Sequence, residues 1–159
     1  MIQPQALRKM FGYTATLVNK HASDISHEES LIQPENLPNS LNWLLGHLIS
    51  ARTRALQMIG EEPVWTDDMR ARYRAGSAPI TGDEAGVMAF GALVAAYNET
   101  HGRLLNGLQR LTYENLNELS GFETNTVADS LAYFQFHEAY HVGQIADVAT
   151  ALGKPSAWI

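Results

Sequence analysis

The chain has 159 residues, of which 45% are hydrophobic and 18% charged, with a formal net charge of −6. This is the make-up of a globular protein with enough chain to bury a core, and it excludes a disordered or fibrous chain. There is no cysteine, which excludes disulfides, thiolate nucleophiles, iron–sulfur clusters and cysteine zinc sites, so any metal chemistry falls to imidazole, carboxylate or water.

The acidic balance and scattered cations argue against nucleic acid, which needs basic residues clustered on one face. Only Arg70, Arg72 and Arg74 group together, and such a run reads as a solvated face. No apolar run reaches the roughly 18 residues of a membrane span. The first residues lack the basic and apolar regions of a signal peptide, so the expected address is cytoplasmic. One domain over residues 1–159 is expected.

Four long stretches carry helical periodicity and none alternates as a strand would. The first is expected from Pro4 to about Glu28, with Leu7, Phe11, Thr14, Val18, His21 and Ile25 at three- and four-residue steps. Pro34 and Pro38 interrupt the pattern. The second begins at Asn39 or Ser40, both good N-caps, and runs to about Ile59. Its inner face reads Leu41, Leu44, Leu45, Leu48, Arg52, Ala55 and Ile59, with Arg52 the odd member.

A long connection from Glu61 to Ile80 follows, with room for a short helix over Asp67–Arg74. The third long helix is expected from Thr81, whose spacing to Glu84 matches a capping box, to about Arg110. Residues 112–124 read as an irregular or short helical connector. The last helix is expected from about Thr126 to Leu152, stopped by Gly153 and Pro155. Four such helices hide their apolar faces most simply in a four-helix bundle.

His137-Glu138-Ala139-Tyr140-His141 carries the chemistry. Two histidines four apart on a helix share a face and can converge on one ion. Alone, the pair could equally be core imidazoles bonded to carbonyls. His47, on the second helix, changes that reading: three inward-facing histidines are hard to satisfy one by one, and one metal satisfies all three. Three ligands leave at least one coordination position open, as catalytic ions require.

The rival reading is a His-Glu-x-x-His peptidase with Glu138 as general base. The longer metzincin spacing would want glycine at 144 and a ligand at 147. Here Gln144 and Asp147 stand there, with no turn to bring Asp147 back.

Glu138 could accept a proton or orient a ligand histidine, against the alternative of an ordinary salt-bridged carboxylate. Gln144 could bond near the site. His101 and His21 lie on apolar stripes, where a lone histidine is more often a satisfied core residue than a fourth ligand. His27, beside Glu28 and Glu29 at the end of the first helix, is expected to be exposed. Trp43, Tyr97 and Tyr140 could wall a pocket, although such aromatics are more often core.

The phrase Leu44-Leu45-Gly46-His47-Leu48-Ile49, together with His137-Glu138-Ala139-Tyr140-His141-Val142-Gly143-Gln144-Ile145, resembles the DinB/YfiT-like family of metal-dependent proteins and its His-x-x-x-His-x-Gly-Gln pattern. Pro34, Pro38 and the closing Leu152-Gly153-Lys154-Pro155 fit as well. The resemblance implies an all-α, four-helix bundle with a non-sequential helix order, often dimeric. It implies His47, His137 and His141 as metal ligands, and members of known activity include thiol-dependent S-transferases and a mycothiol-dependent maleylpyruvate isomerase.

The first functional expectation is therefore a metal-dependent S-transferase using a low-molecular-weight thiol. The second is a non-catalytic metal-binding stress-response or interaction protein, with Trp65 and Trp158 exposed on a dimer face. The third is a metal-dependent hydrolase. Zinc or nickel is the expected ion, with iron and manganese as the alternatives.

Overall fold

The computed structural model describes residues 2–122 and 124–155. It is all-helical among those residues: α1 Pro4–Ala22, α2 His27–Ser30, α3 Leu41–Met58, α4 Asp67–Ala71, α5 Phe90–Arg110, α6 Tyr113–Asn117 and α7 Val127–Ala151. No helix among them is long and apolar enough to cross a membrane.

Local chemistry accounts for most of the boundaries. Pro4 opens α1, where its missing N–H costs nothing. The first helix is shorter than the periodicity suggests, because Ser26 starts a helix of its own. The Ser26 hydroxyl accepts from the Glu29 N–H, and the Glu29 carboxylate accepts from the Ser26 N–H at 2.8 Å. Ser40 caps α3, and Gly60, at φ 75°, follows its end in the left-handed conformation glycine tolerates. Thr126 and Asp129 form the box that opens α7.

The expected start of the third long helix at Thr81 is corrected to Phe90. The Glu84 carboxylate, which a capping box would return to Thr81, is bonded instead to Arg72 at 2.7 Å. The Met88 N–H donates to the Tyr73 hydroxyl and the Met88 carbonyl accepts from Asn42. Tertiary partners thus outcompete a local cap and hold residues 81–89 against α3 in a non-helical path.

Each of the long helices α1 and α3 packs on both α5 and α7. Two apolar clusters fill the interior, one including Val18, Leu48, Leu93 and Ile145, the other including Phe11, Leu56, Leu104 and Leu131. Along α1 and α7 the chain passes from the second cluster to the first, and along α3 and α5 from the first to the second. The pairs α1/α7 and α3/α5 are therefore each parallel, and the two pairs are antiparallel to one another.

Between the clusters lies a polar layer to which all four long helices contribute: Thr14, Arg52, Tyr97 and Glu138. Arg52, the odd member of the α3 stripe, is 2% exposed, as is Glu138. Arg52 Nε and Nη2 each donate to the carboxylate at 2.7 Å, and the Tyr97 hydroxyl donates to Glu138 Oε1 at 3.2 Å. The Thr14 hydroxyl donates to the same oxygen. Burial holds the Tyr97 phenol well above its ordinary pKa, so it serves as a donor.

Three expectations for single residues are also corrected. Trp65 is 3% exposed and packs on Tyr73 rather than presenting an interaction face, while Trp158 lies outside the described residues. His27 is half-buried, and its Nδ1 accepts from the Phe90 N–H. Arg72 is not simply solvated: it ties the Ala78 and Pro79 carbonyls and Glu84 together.

His101 sits on α5 with a buried Nδ1 that has no partner, and burial, aided by the Arg52 charge, lowers its pKa to about 4. Folded protein therefore stays unprotonated at His101 down to about pH 4, whereas the unfolded chain takes up a proton near its ordinary value of about 6.5. The unfolded state binds more protons in that window, so stability falls as pH drops through it. Replacing His101 by Leu should make urea midpoints less acid-sensitive between pH 7 and pH 4.5. Identical pH dependence in variant and parent would remove His101 from this account.

Candidate metal centre

His47 comes from α3, and His137 and His141 come from successive turns of one face of α7. Their ligand nitrogens all lie within 4.8 Å of one another. His137 Nε2 stands 3.0 Å from His47 Nε2 and 3.2 Å from His141 Nε2. Three nitrogens of a tetrahedral site lie roughly 3.3 Å apart when bound to zinc at about 2.0–2.1 Å, so the spacing suits an ion.

The protons point the same way. His47 Nδ1 is 2.8 Å from the Tyr73 carbonyl, which can only accept, so Nδ1 carries the proton and Nε2 is left with a lone pair. His141 Nδ1 donates to Gln144 Oε1 at 2.7 Å, an orientation held by the Gln144 amide donating to the Tyr140 hydroxyl. Two bare Nε2 atoms thus face a third, and a single proton on His137 cannot satisfy both. His137 Nδ1 is itself buried without a partner. A cation would supply the positive charge this arrangement lacks, and the residues present fit one.

Burial lowers the pKa of His47, and lowers those of His137 and His141 to about 4. All three are therefore neutral at pH 7, the form a metal ligand requires. Trp43 stacks on His47, ring centroids 4.7 Å apart and planes 11° from parallel, and its indole N–H is spent on Ser77.

The backbone explains why Gly46 precedes His47. A Cβ there would lie 2.1 Å from a carbon of the Tyr73 ring. The ring's close approach brings the Tyr73 carbonyl to His47, and its hydroxyl donates to Asn42 while accepting from Met88. Tyr73 was not legible as a site residue, since it sits in a connection with no periodicity.

The other sequence candidates are placed elsewhere. Glu138, Tyr97 and His101 are outside the cluster; Glu138 and Tyr97 belong to the polar layer. Asp147 is exposed on an uninterrupted α7, so the metzincin spacing brings no ligand. Tyr140 is 59% exposed, edge-on to His141.

A cleft of about 180 Å³ opens beside His47 and His137. Arg54, Arg70 and Arg74 line it together with Phe122, Tyr133 and Phe134.

Gln144→Leu should free the His141 tautomer and weaken metal binding by about 10–100-fold, as loss of a residue orienting a ligand does. Competition against a chelating dye measures it, and unchanged affinity would make the Gln144 bond incidental.

The fold is similar to that of a conserved protein of Enterococcus faecalis known from a crystal structure, with a TM-score of 0.74, 15% identity, and coverage of 97% of this chain and 100% of that one. At that identity the likeness concerns the fold alone. None of the curated proteins matches the chain. A family model described as the DinB superfamily matches residues 10–145, a span that contains all three histidines.

Proposed function

The chain belongs to the DinB superfamily, and from that premise we propose that it is a metal-dependent S-transferase, using a low-molecular-weight thiol as cosubstrate. The observation that supports the reading is the Nε2 triangle of His47, His137 and His141 beside an accessible cleft. Three protein ligands leave a position for a reactant. We read the arrangement as a single DinB-like four-helix bundle domain, its long helices sharing one polar layer, and zinc or nickel as the resident ion. A cytoplasmic address suits a reaction that consumes reduced thiols.

A divalent ion bound there supplies positive charge that favours the ionised form of a nearby thiol. The chain's own residues keep the ligands in register: Tyr73 and Trp43 orient His47, and Gln144 orients His141. The thiol sulfur forms a bond to an electrophilic carbon, the leaving group departs with its electron pair, and the thiol proton passes to water. We give Glu138 a positioning role, because its oxygens already accept from Arg52, Tyr97 and Thr14.

The test is thiol consumption with 1-chloro-2,4-dinitrobenzene as electrophile, comparing metal-loaded, metal-free and His137→Ala proteins across a panel of cellular thiols. Product formed only by the loaded parent supports the transferase. If no thiol reacts while an ester is hydrolysed, the open position serves water and the hydrolase reading replaces it.

One observation favours the interaction reading: Tyr133, Phe136 and Tyr140 are 48%, 68% and 59% exposed on α7. An apolar face of this kind suits a homodimer.

A further inference from the structure

The cleft beside the histidines has a charge opposite to that of the protein. The chain carries a net −6, yet three of its 11 lysines and arginines line this one cleft, and none of the residues lining it is acidic. Arg74 has no ion-pair partner among the described residues, and Arg54 lies with its guanidinium carbon 5.6 Å from the centre of the Phe122 ring. Arg70 uses Nη1 on Asp67, but its Nε is buried and unpartnered. Guanidinium groups offer fixed forks of donors that match a carboxylate in plane and spacing. Phe122, Tyr133 and Phe134 line the same cleft, and a volume near 150 Å³ is enough to hold a benzene ring.

We infer that the cleft binds a small organic carboxylate, its apolar or aromatic body against Phe122 and Tyr133 and its charge on Arg54, Arg70 and Arg74. This deepens the transferase reading by naming the class of molecule that reaches the histidines, and it depends on that reading only for what happens at the molecule's other end. Anion capture is a property of the arginines, so it is measurable with or without metal.

The experiment titrates benzoate and benzyl alcohol into metal-free protein, followed by NMR shifts, with the Arg54→Gln/Arg74→Gln double variant beside the parent. Both arginines are exposed, so the fold should tolerate the change. Benzoate should bind at least tenfold more tightly than benzyl alcohol, and the double variant should lose that preference while still taking up as much metal as the parent. Equal binding of the two ligands, or an unchanged preference in the variant, would overturn the inference. Tighter competition by inorganic phosphate than by benzoate would overturn the carboxylate assignment. A parent that takes up no metal yet prefers benzoate would sink the metal reading and leave this one standing.

Discussion

Truncating Glu138 to Ala should destabilise the protein by about 3–5 kcal/mol, because it leaves the Arg52 guanidinium buried without its counter-charge. Arg52 is 2% exposed, and two of its nitrogens depend on this carboxylate. Arg52→Ala should cost a similar amount for the mirror reason. The double variant Arg52→Met/Glu138→Leu should recover most of the loss, since apolar residues of similar volume often replace a buried pair at little cost. Urea unfolding of the three variants measures this directly. A loss under about 1 kcal/mol in either single variant would mean that the pair is solvated and that the polar layer does not depend on it. If Glu138 acted chiefly as a base, Glu138→Gln would remove activity without moving the urea midpoint; the bidentate pair predicts that the midpoint moves as well.

Gly46→Ala is expected to couple the fold to the metal centre. The added methyl would overlap the Tyr73 ring, and overpacking of that kind typically costs about 1–3 kcal/mol. Displacing the ring also withdraws the Tyr73 carbonyl from His47 Nδ1 and loosens the bonds to Asn42 and Met88. Metal affinity should fall with stability, by about 10–100-fold, as for the loss of other groups that orient ligands. Chelator competition together with thermal melts separates the two effects. A variant that melts like the parent and holds metal as tightly would show that Tyr73 moves aside freely and plays no part in orienting His47.

Much of the centre is visible in the sequence because helical spacing is enough to align His137 with His141. His47 follows from its place at the border of the α3 stripe. What periodicity cannot show is pairing across the chain. Arg52 stands out as a charge on an apolar face and Glu138 as a carboxylate near one, but 86 residues separate them, and only packing reveals that each is the other's partner.

The start of α5 is hidden from the sequence for a related reason. Thr81 and Glu84 have the spacing of a local cap, and Arg72 takes the carboxylate first. The arginine run hid its role in the same way. By composition it is a solvated face; in the fold Arg72 ties a loop together, while Arg70 and Arg74 turn to the cleft. Trp65 looked like an exposed aromatic because its segment has no periodicity, yet Tyr73 covers it.

Every functional reading of this protein depends on the metal centre, and elemental analysis tests that centre most directly: protein purified without an affinity tag, measured beside the His137→Ala/His141→Ala double variant. About one equivalent of a divalent metal in the parent and none in the variant is the predicted result for a single site of three protein ligands. Metal absent from both after reconstitution with zinc, nickel and manganese, or retained equally by both, would contradict it.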